Sequence, residues 1–190
     1  MIILASQSPR RKEILKEILG DTPFVCIPSS FDERKIHEDD LKALCLEEAR
    51  GKGLTVAKDH PSDIIISSDT MVSYKGEQLG KPKDHDDAMR MLRELSGNTH
   101  EIVTAYSIFK GETELRHRVV VARLFIEKMA DAEIEMYLDT GSPYDKAGGY
   151  GVQDTDFINS KILQGDMYTI MGLPKQELED DLYDLGILKD

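Results

Sequence analysis

The sequence predicts an α/β fold of mixed α+β character, and three observations support this prediction. Short apolar runs of strand length alternate with segments whose apolar residues recur at helical spacing. Apolar residues make up 40% of the chain, which is enough for a folded core. No Pro/Gly/Ser-rich linker and no internal repeat divides the sequence, so we expect residues 1–190 to form a single domain.

Helix-starting and helix-ending residues place the elements along the chain. Ser8 is expected to cap the first helix, Pro9 to begin it and Gly20 to end it. Asp84 and Gly97 are expected to bound a later helix in the same way. The predicted strands cover 2–5, 24–27, 64–72, 100–109 and 115–127, and the predicted helices cover 8–20, 41–58, 84–97, 132–138 and a last segment that begins at 173–174.

The charge balance argues against a general nucleic-acid-coating role. The chain has 24 Lys and Arg against 36 Asp and Glu, which gives a net charge of −12. So acidic a chain repels nucleic-acid backbones and anionic membranes. No apolar stretch approaches the roughly 20 residues that span a bilayer, and residues 1–5 lack the charged region of a signal peptide. We therefore expect a cytoplasmic protein with no nucleic-acid and no membrane partner.

The first chemical anomaly is the basic first turn of the first helix. Arg10, Arg11 and Lys12 lie where the positive end of the helix dipole favours acidic side chains. A bound anion resolves this conflict, because backbone N–H groups, the Ser6 and Ser8 hydroxyls and the arginine forks converge on phosphate oxygens. The alternative is a solvated basic turn without a ligand.

The second anomaly is a polar cluster inside a strand. Ser67, Ser68, Asp69 and Thr70 directly follow three isoleucines. Because aspartate is uncommon in strands, its presence at position 69 indicates a specific role or environment. It binds a metal, acts as a base or lies at a strand end in water, and the pattern leaves these three alternatives open.

Two later segments carry residues that suit phosphate or base recognition. Lys81 lies in a turn before the helix over 84–97. Lys146 and Gln153 lie in the irregular segment 145–153, whose glycines allow a ligand to approach the backbone closely. Lys146 supplies a charge, and the Gln153 amide both donates and accepts hydrogen bonds. A solvated or flexible turn is the alternative for both segments.

Several other chemistries have no support in the sequence. It contains no GxxxxGK[ST], no GxGxxG after a strand, no HExxH and no GxSxG. The five histidines show no metal-ligand spacing. Cys26 and Cys45 match no zinc spacing and are too few for a disulfide scaffold, so both are expected to be ordinary thiols.

Four sequence blocks, taken in order, resemble the signatures of the Maf family of nucleoside triphosphate pyrophosphatases. The blocks are LASQSPRR at 4–11, SDT at 68–70 with LGKP at 79–82, LSG at 95–97 with His100, Val103 and Thr104, and 145–153 with GD at 165–166 and MGLP at 171–174. They cover nearly the whole chain and are specific together. The resemblance implies a long bent mixed sheet flanked by helices, with two lobes around a central cleft, as in inosine triphosphate pyrophosphatase-like folds.

The resemblance also implies an activity and its residues. It implies hydrolysis of a nucleoside triphosphate to the monophosphate and pyrophosphate with a divalent metal cation, Mg²⁺ or Mn²⁺, in a family that often forms homodimers. The family's proton acceptor matches Asp69. Its substrate-discriminating positions match Arg10, Thr70 and Gln153, a combination that resembles the dTTP/UTP subfamily and not the one that prefers 7-methyl-GTP. One departure is Asp154, where the family commonly has glycine.

These observations combine into one mechanistic hypothesis. Asp69 activates a water that attacks the α-phosphorus, and pyrophosphate leaves with its charge held by the metal and by cations. Asp32 and Glu33, which follow a strand, are candidates to support the metal beside Asp69. The predicted phosphate-binding residues are Ser6, Ser8, Arg11, Lys52, Lys81 and Lys146. The alternatives are a non-enzymatic nucleotide-binding regulator of cell division and a hydrolase that releases single phosphates.

Overall fold

The fold, seen in a computed structural model that describes residues 1–189, is a mixed sheet with helices, which confirms the predicted class. The sheet has seven strands, six of them in the order β2-β1-β3-β5-β6-β7, with β4 paired to β3. The strands are β1 (Ile2–Leu4), β2 (Phe24–Cys26), β3 (Ile64–Tyr74), β4 (Glu77–Leu79), β5 (Thr99–Lys110), β6 (Thr113–Ile126) and β7 (Ser160–Gln164). The helices are α1 (Pro9–Leu19), α2 (Leu41–Ala57), α3 (His85–Leu95), α4 (Asp131–Leu138), α5 (Met167–Met171) and α6 (Lys175–Asp184).

Three parallel strands set the position of the functional residues. β1 pairs in parallel with β2 and β3, and Leu4 lies opposite Cys26 on one side and Ile66 on the other. The backbone N–H of Ala5 donates to the Ile66 carbonyl at 2.8 Å, so the segment after β1 stays beside β3. Carboxyl ends of parallel strands are where open α/β sheets bind ligands. Asp69 follows Ile66 by three residues and therefore lies just beyond the end of the β1–β3 pairing, while β3 itself continues to Tyr74.

The end residues of α1 are those that the sequence predicts. The Ser8 hydroxyl accepts the N–H of Arg11 at 3.4 Å, and Pro9 is the first helical residue. Gly20 ends the helix with φ +56°, a backbone conformation that favours glycine. The buried face of α1 carries Ile14, Leu15, Ile18 and Leu19, which join one core cluster with leucines of α6.

The chain divides into two compact units. The first unit contains residues 1–70 and 104–120 and the chain from Met167 onward, and the second contains 71–103 and 121–166. Within the second unit α3 packs against α4, and His100 on β5 contacts the Tyr150 ring edge-on. No helix within residues 1–189 is long and apolar enough to cross a membrane.

Three short elements are absent from the sequence prediction. These are β4, β7 and the five-residue α5. Most residues of β7 are exposed, and it lies at the edge of the sheet, so it lacks the apolar alternation that marks a half-buried strand. Each of these elements has five residues or fewer, too few for an apolar period to stand out.

Candidate active site

The polar cluster of β3 lies inside the strand, buried from water. Ser67 and Ser68 are fully buried and Asp69 is 7% exposed. Asp69 occupies the middle of β3 (Ile64–Tyr74), so the strand-end alternative does not apply. A carboxylate buried in a sheet requires partners, and these come from α2.

One face of α2 surrounds the Asp69 carboxylate. Cys45, Glu48 and Lys52 recur three and four residues apart, which places them on the same side of the helix. The Cys45 thiol donates to the Asp69 backbone oxygen at 3.4 Å and lies 3.8 Å from Oδ2. The Lys52 ammonium forms an ion pair with Asp69 Oδ1, and the Glu48 carboxyl group is hydrogen-bonded to the Asp69 carboxyl group.

Burial and charge shift the protonation of these α2 residues. Burial, with the nearby Asp69 and Glu33 carboxylates, raises the pKa of Glu48 well above its usual value. Burial also raises the pKa of the Cys45 thiol far above its usual value, so Cys45 acts as a donor and not as a thiolate. Burial lowers the pKa of Lys52, but Asp69 and then Glu33 outweigh it, so the net pKa is raised and the ammonium stays charged.

Glu33 reaches the same ammonium from the segment after β2. Its Oε1 lies 2.7 Å from Lys52 Nζ. The Phe31 ring packs on Gly51 so closely that a Cβ at position 51 would overlap it, and this contact brings the segment against α2. The carboxylate of Asp32 accepts the backbone N–H of Arg34 at 3.2 Å and pairs with the Arg34 side chain at 2.8 Å.

Three carboxylates of this site form a group with the chemistry of a cation site. Glu33, Glu48 and Asp69 each offer one oxygen, and these three atoms lie within 4.8 Å of one another. Carboxylate oxygens are the ligands that hard divalent cations such as Mg²⁺ and Mn²⁺ prefer. Glu33 and Asp69 were predicted from the sequence, whereas Glu48 was missed. Its signal was the spacing, because it precedes Lys52 by one helical turn.

The basic turn of α1 finds acceptors within the protein. Arg11 Nε donates to the Gly172 carbonyl at 2.9 Å, Nη1 to the Ser68 carbonyl at 3.1 Å and Nη2 to Thr70 Oγ1 at 3.1 Å. Gly172 has φ +105°, and a Cβ there would lie 3.0 Å from Arg11 Nε. Three protein oxygens thus stabilise the Arg11 guanidinium at the positive end of the helix dipole and fix it beside β3.

The other predicted residues of the first unit lie in the turn before α1, at the start of α1 and in β3. The Ser6 hydroxyl accepts the backbone N–H of Ser8 at 3.1 Å, which shapes the turn before α1. Arg10 is half-buried. Thr70 Oγ1 shares a 3.0 Å hydrogen bond with Thr104 Oγ1, in addition to its bond from Arg11.

The predicted residues of the second unit lie in its turns. Lys81 is exposed between β4 and α3. Lys146 Nζ donates to the Ser142 carbonyl at 2.7 Å and to Asp145 Oδ1 at 2.9 Å. Gln153 is exposed and helps to line a cavity of about 250 Å³.

A hydrogen-bond network holds the residue that follows Gln153. Asp154 Oδ2 accepts from the Tyr137 hydroxyl at 2.5 Å and from the Ser142 hydroxyl at 2.8 Å. The Tyr137 oxygen in turn accepts the backbone N–H of Gly151 at 3.0 Å. Asp154, the departure from the family pattern, therefore anchors the turn that carries Gln153.

Comparison with known proteins finds a family model and several named relatives that match most of the chain. The model of a family described as Maf-like protein matches residues 1–185. A dTTP/UTP pyrophosphatase of Pyrococcus furiosus is 40% identical over 173 residues, which are 91% of this chain and 89% of the relative. A dTTP/UTP pyrophosphatase of Clostridium botulinum strain 657 is 38% identical over 98% of this chain and 97% of the relative. A dTTP/UTP pyrophosphatase of Lacticaseibacillus casei is 39% identical over 92% of this chain and 93% of the relative.

A solved structure confirms the fold. A HAM1 protein from Coxiella burnetii superimposes with a TM-score of 0.51 over 96% of this chain and 98% of that chain. The sequence identity is 14%, so the likeness concerns the fold alone. It agrees with the predicted mixed sheet flanked by helices.

Proposed function

Because the chain belongs to the Maf family, we propose that it hydrolyses nucleoside triphosphates, dTTP and UTP first among them, to the monophosphate and pyrophosphate. The observation that carries this proposal is the Asp69 carboxylate, buried in β3 beside Glu33, Glu48 and Lys52. Relatives named dTTP/UTP pyrophosphatase support the choice of substrates. As the family resemblance implies, we also propose a cytoplasmic housecleaning role, a homodimeric assembly and a single Maf-like domain over residues 1–190, of which the family model matches 1–185.

Asp69 is the group that takes the proton of the attacking water. The Lys52 ion pair and the Cys45 thiol hold its carboxylate in one orientation, directed toward α2. General-base assistance of this kind typically accelerates a reaction by about 10²–10⁴-fold. We assign the Lys52 ammonium, which pairs with Asp69, to a phosphate oxygen of the substrate.

The turn before α1 receives the phosphates. The helix N-terminus and the Ser6 and Ser8 hydroxyls offer donors to an anion there. Arg11 shapes this turn by its three bonds to protein oxygens, and its positive charge lies at the same edge. Lys81 and Lys146 are the further cations that we assign to the phosphates.

A divalent cation, Mg²⁺ or Mn²⁺, would be held by Glu33 and Asp69, whose oxygens suit it. When bound, such a cation stabilises negative charge on the phosphates and on the departing pyrophosphate. Base selection is assigned to Arg10, Thr70 and Gln153. The Gln153 amide can pair with a donor and an acceptor on a pyrimidine edge.

The test is product analysis by anion-exchange chromatography. The protein is incubated with dTTP, UTP, CTP, GTP and ATP in the presence of Mg²⁺, Mn²⁺ or a chelator. We expect monophosphate and pyrophosphate from dTTP and UTP, and no turnover with the chelator. Asp69→Asn should lose about 10²–10⁴-fold in kcat, whereas Asp59→Asn, an exposed position beyond the end of α2, should retain full activity.

Three results would contradict the proposal. Release of inorganic phosphate in place of pyrophosphate would indicate a different hydrolase. Tight nucleotide binding without turnover would indicate a regulator. Equal kcat values for Asp69→Asn and Asp59→Asn would show that Asp69 is not the general base.

A further inference from the structure

Glu48 is a buried carboxylate that matches none of the Maf signature blocks. It is 8% exposed, and its carboxyl group is directed at Asp69, to which it is hydrogen-bonded. Within residues 1–189 no salt bridge reaches it, whereas Asp69 and Glu33 both pair with Lys52 Nζ. A buried carboxylate without a cationic hydrogen-bond partner is costly, so its presence needs an explanation.

The neighbouring Glu47 shows how an ordinary glutamate behaves on this helix. Its carboxylate is 2.6 Å from Arg50 Nη1, and the side chain is 41% exposed. Glu47 therefore meets water and a cation in the usual manner of a helix surface. Glu48, one residue later, turns inward to a second carboxylate, a contact that does not stabilise two ionised groups.

The charges around Asp69 leave room for a further cation. Glu33, Glu48 and Asp69 contribute three carboxylates, and Lys52 and Arg11 are the cations that act on this group. When all five groups are ionised, which direct coordination of a cation by the three carboxylates requires, one negative charge remains uncompensated. The three oxygens already lie within 4.8 Å of one another, which is a separation that one ion can bridge by direct coordination.

We propose that Glu48 is a direct ligand of the divalent cation, beside Glu33 and Asp69. The inference rests on the proposed function, because metal dependence belongs to that function. It explains why a glutamate is buried at this position of α2. The site is then built from three separate segments of the first unit: the turn after β2, the buried face of α2 and the middle of β3.

The experiment measures Mn²⁺ affinity without nucleotide or turnover. Mn²⁺ is titrated calorimetrically into the parent protein, Glu48→Gln and the matched control Glu47→Gln, and free Mn²⁺ is counted by electron paramagnetic resonance. We expect Glu48→Gln to weaken Mn²⁺ binding at least tenfold, the lower end of what loss of even an outer-shell partner costs. Glu47→Gln should stay within about twofold of the parent, since Glu47 binds Arg50 instead.

A second variant separates ligation from packing. Glu48→Asp keeps the carboxylate but shortens the side chain, so it should bind Mn²⁺ more weakly than the parent and more tightly than Glu48→Gln. Thermal melting in chelator reports folding of each variant. A purely structural role predicts lower melting temperatures with unchanged Mn²⁺ affinity, and that result would overturn the proposal.

The outcomes distinguish this proposal from the proposed function. If Glu48→Gln binds Mn²⁺ as tightly as Glu47→Gln, or if the parent protein binds no Mn²⁺, Glu48 is not a ligand. Pyrophosphate release from dTTP by the parent protein would leave the proposed function standing in either case. Selective loss of Mn²⁺ affinity in Glu48→Gln supports the ligand role even if dTTP is not the substrate.

Discussion

The ammonium of Lys52 forms an ion pair with the carboxylate of Asp69, 17 residues further along the chain. The side chains of both residues are mostly buried, 18% and 9% exposed respectively. Lys52 thereby joins α2 to the middle of β3, and it joins Glu33 to both. This ion pair is both a structural link and part of the candidate active site.

Lys52→Gln should destabilise the fold as well as impair activity. Removing one partner of a buried ion pair leaves an uncompensated charge, and such changes cost about 3–5 kcal/mol. We expect about 3 kcal/mol because the other partner, Glu33, is half exposed. Urea denaturation measures the free energy of unfolding, with Lys58→Gln, an exposed lysine after α2, as the control. Equal stability of the two variants would show that the pair does not stabilise the fold.

The stability of the protein should fall as the pH drops below about 6.5, because of His100. Burial lowers the pKa of His100 to about 4, from an ordinary value of 6.5. The unfolded state therefore binds a proton between these values that the folded state does not, so stability is complete above 6.5 and is lost as pH falls towards 4. The difference corresponds to about 3 kcal/mol at most.

The measurement for His100 is urea denaturation at several pH values between 4 and 7. His100→Asn should remove this part of the pH dependence, although it also loses the 2.5 Å hydrogen bond between Nε2 and the Tyr150 hydroxyl. His117→Asn, at an exposed position, is the matched control. If the free energy of unfolding of both variants depends on pH as steeply as that of the parent, His100 does not cause this pH dependence.

Asp154→Asn should weaken pyrimidine nucleotide binding more than it slows the reaction. The substitution removes the charge from the acceptor of the Tyr137 and Ser142 hydroxyls, and hydrogen bonds to charged groups are worth about 1.5–3 kcal/mol. The turn with Gln153 then loosens. We expect KM for UTP to rise about tenfold, which equals 1.4 kcal/mol, with a much smaller change in kcat. Steady-state kinetics with UTP and GTP test this.

The control for Asp154 is the exposed Asp156→Asn, which lies two residues later. It should leave KM for UTP within about twofold of the parent, as surface substitutions usually do. A normal KM and an unchanged preference for UTP over GTP in Asp154→Asn would show that the hydrogen bonds to Asp154 do not contribute to nucleotide selection.

Asp181→Asn should be among the most destabilising single substitutions outside the candidate site. Asp181 is fully buried and accepts hydrogen bonds from Tyr106, Arg116 and Arg118. Loss of its charge weakens the hydrogen bonds from two arginines whose side chains are 37% and 39% exposed, so we expect a cost of about 1.5–3 kcal/mol, the usual value for hydrogen bonds to charged groups. Thermal and urea unfolding measure this cost, and the exposed Asp180→Asn provides the reference. A loss below about 1 kcal/mol, typical of surface ion pairs, would contradict this role of Asp181.

Local signals in the sequence were sufficient for the helix ends and for the site's central residue. Ser8, Pro9 and Gly20 bound α1 as predicted, because caps and glycine ends act over a few residues. Asp69 stands out in the sequence because a carboxylate is unusual inside a strand. Both inferences depend only on neighbours along the chain.

The partners of those residues could not be predicted from the sequence. The acceptors of Arg11 are mainly backbone carbonyls, which every residue possesses and no sequence pattern marks. Glu48 follows another glutamate and resembles an exposed helix position. Only the packing of α2 on β3 shows that Glu47 faces water and Glu48 faces Asp69.

The bond from Arg11 to the Gly172 carbonyl joins residues 161 positions apart. Contacts of such long sequence separation form late, because the entropy of closing the intervening chain must be overcome first. During synthesis, α1 leaves the ribosome long before the Gly172 carbonyl exists. A nascent chain that stops short of Gly172 therefore lacks one of the three oxygens that hold Arg11, so we expect the turn before α1 to become fully ordered only after Gly172 has been added to the chain.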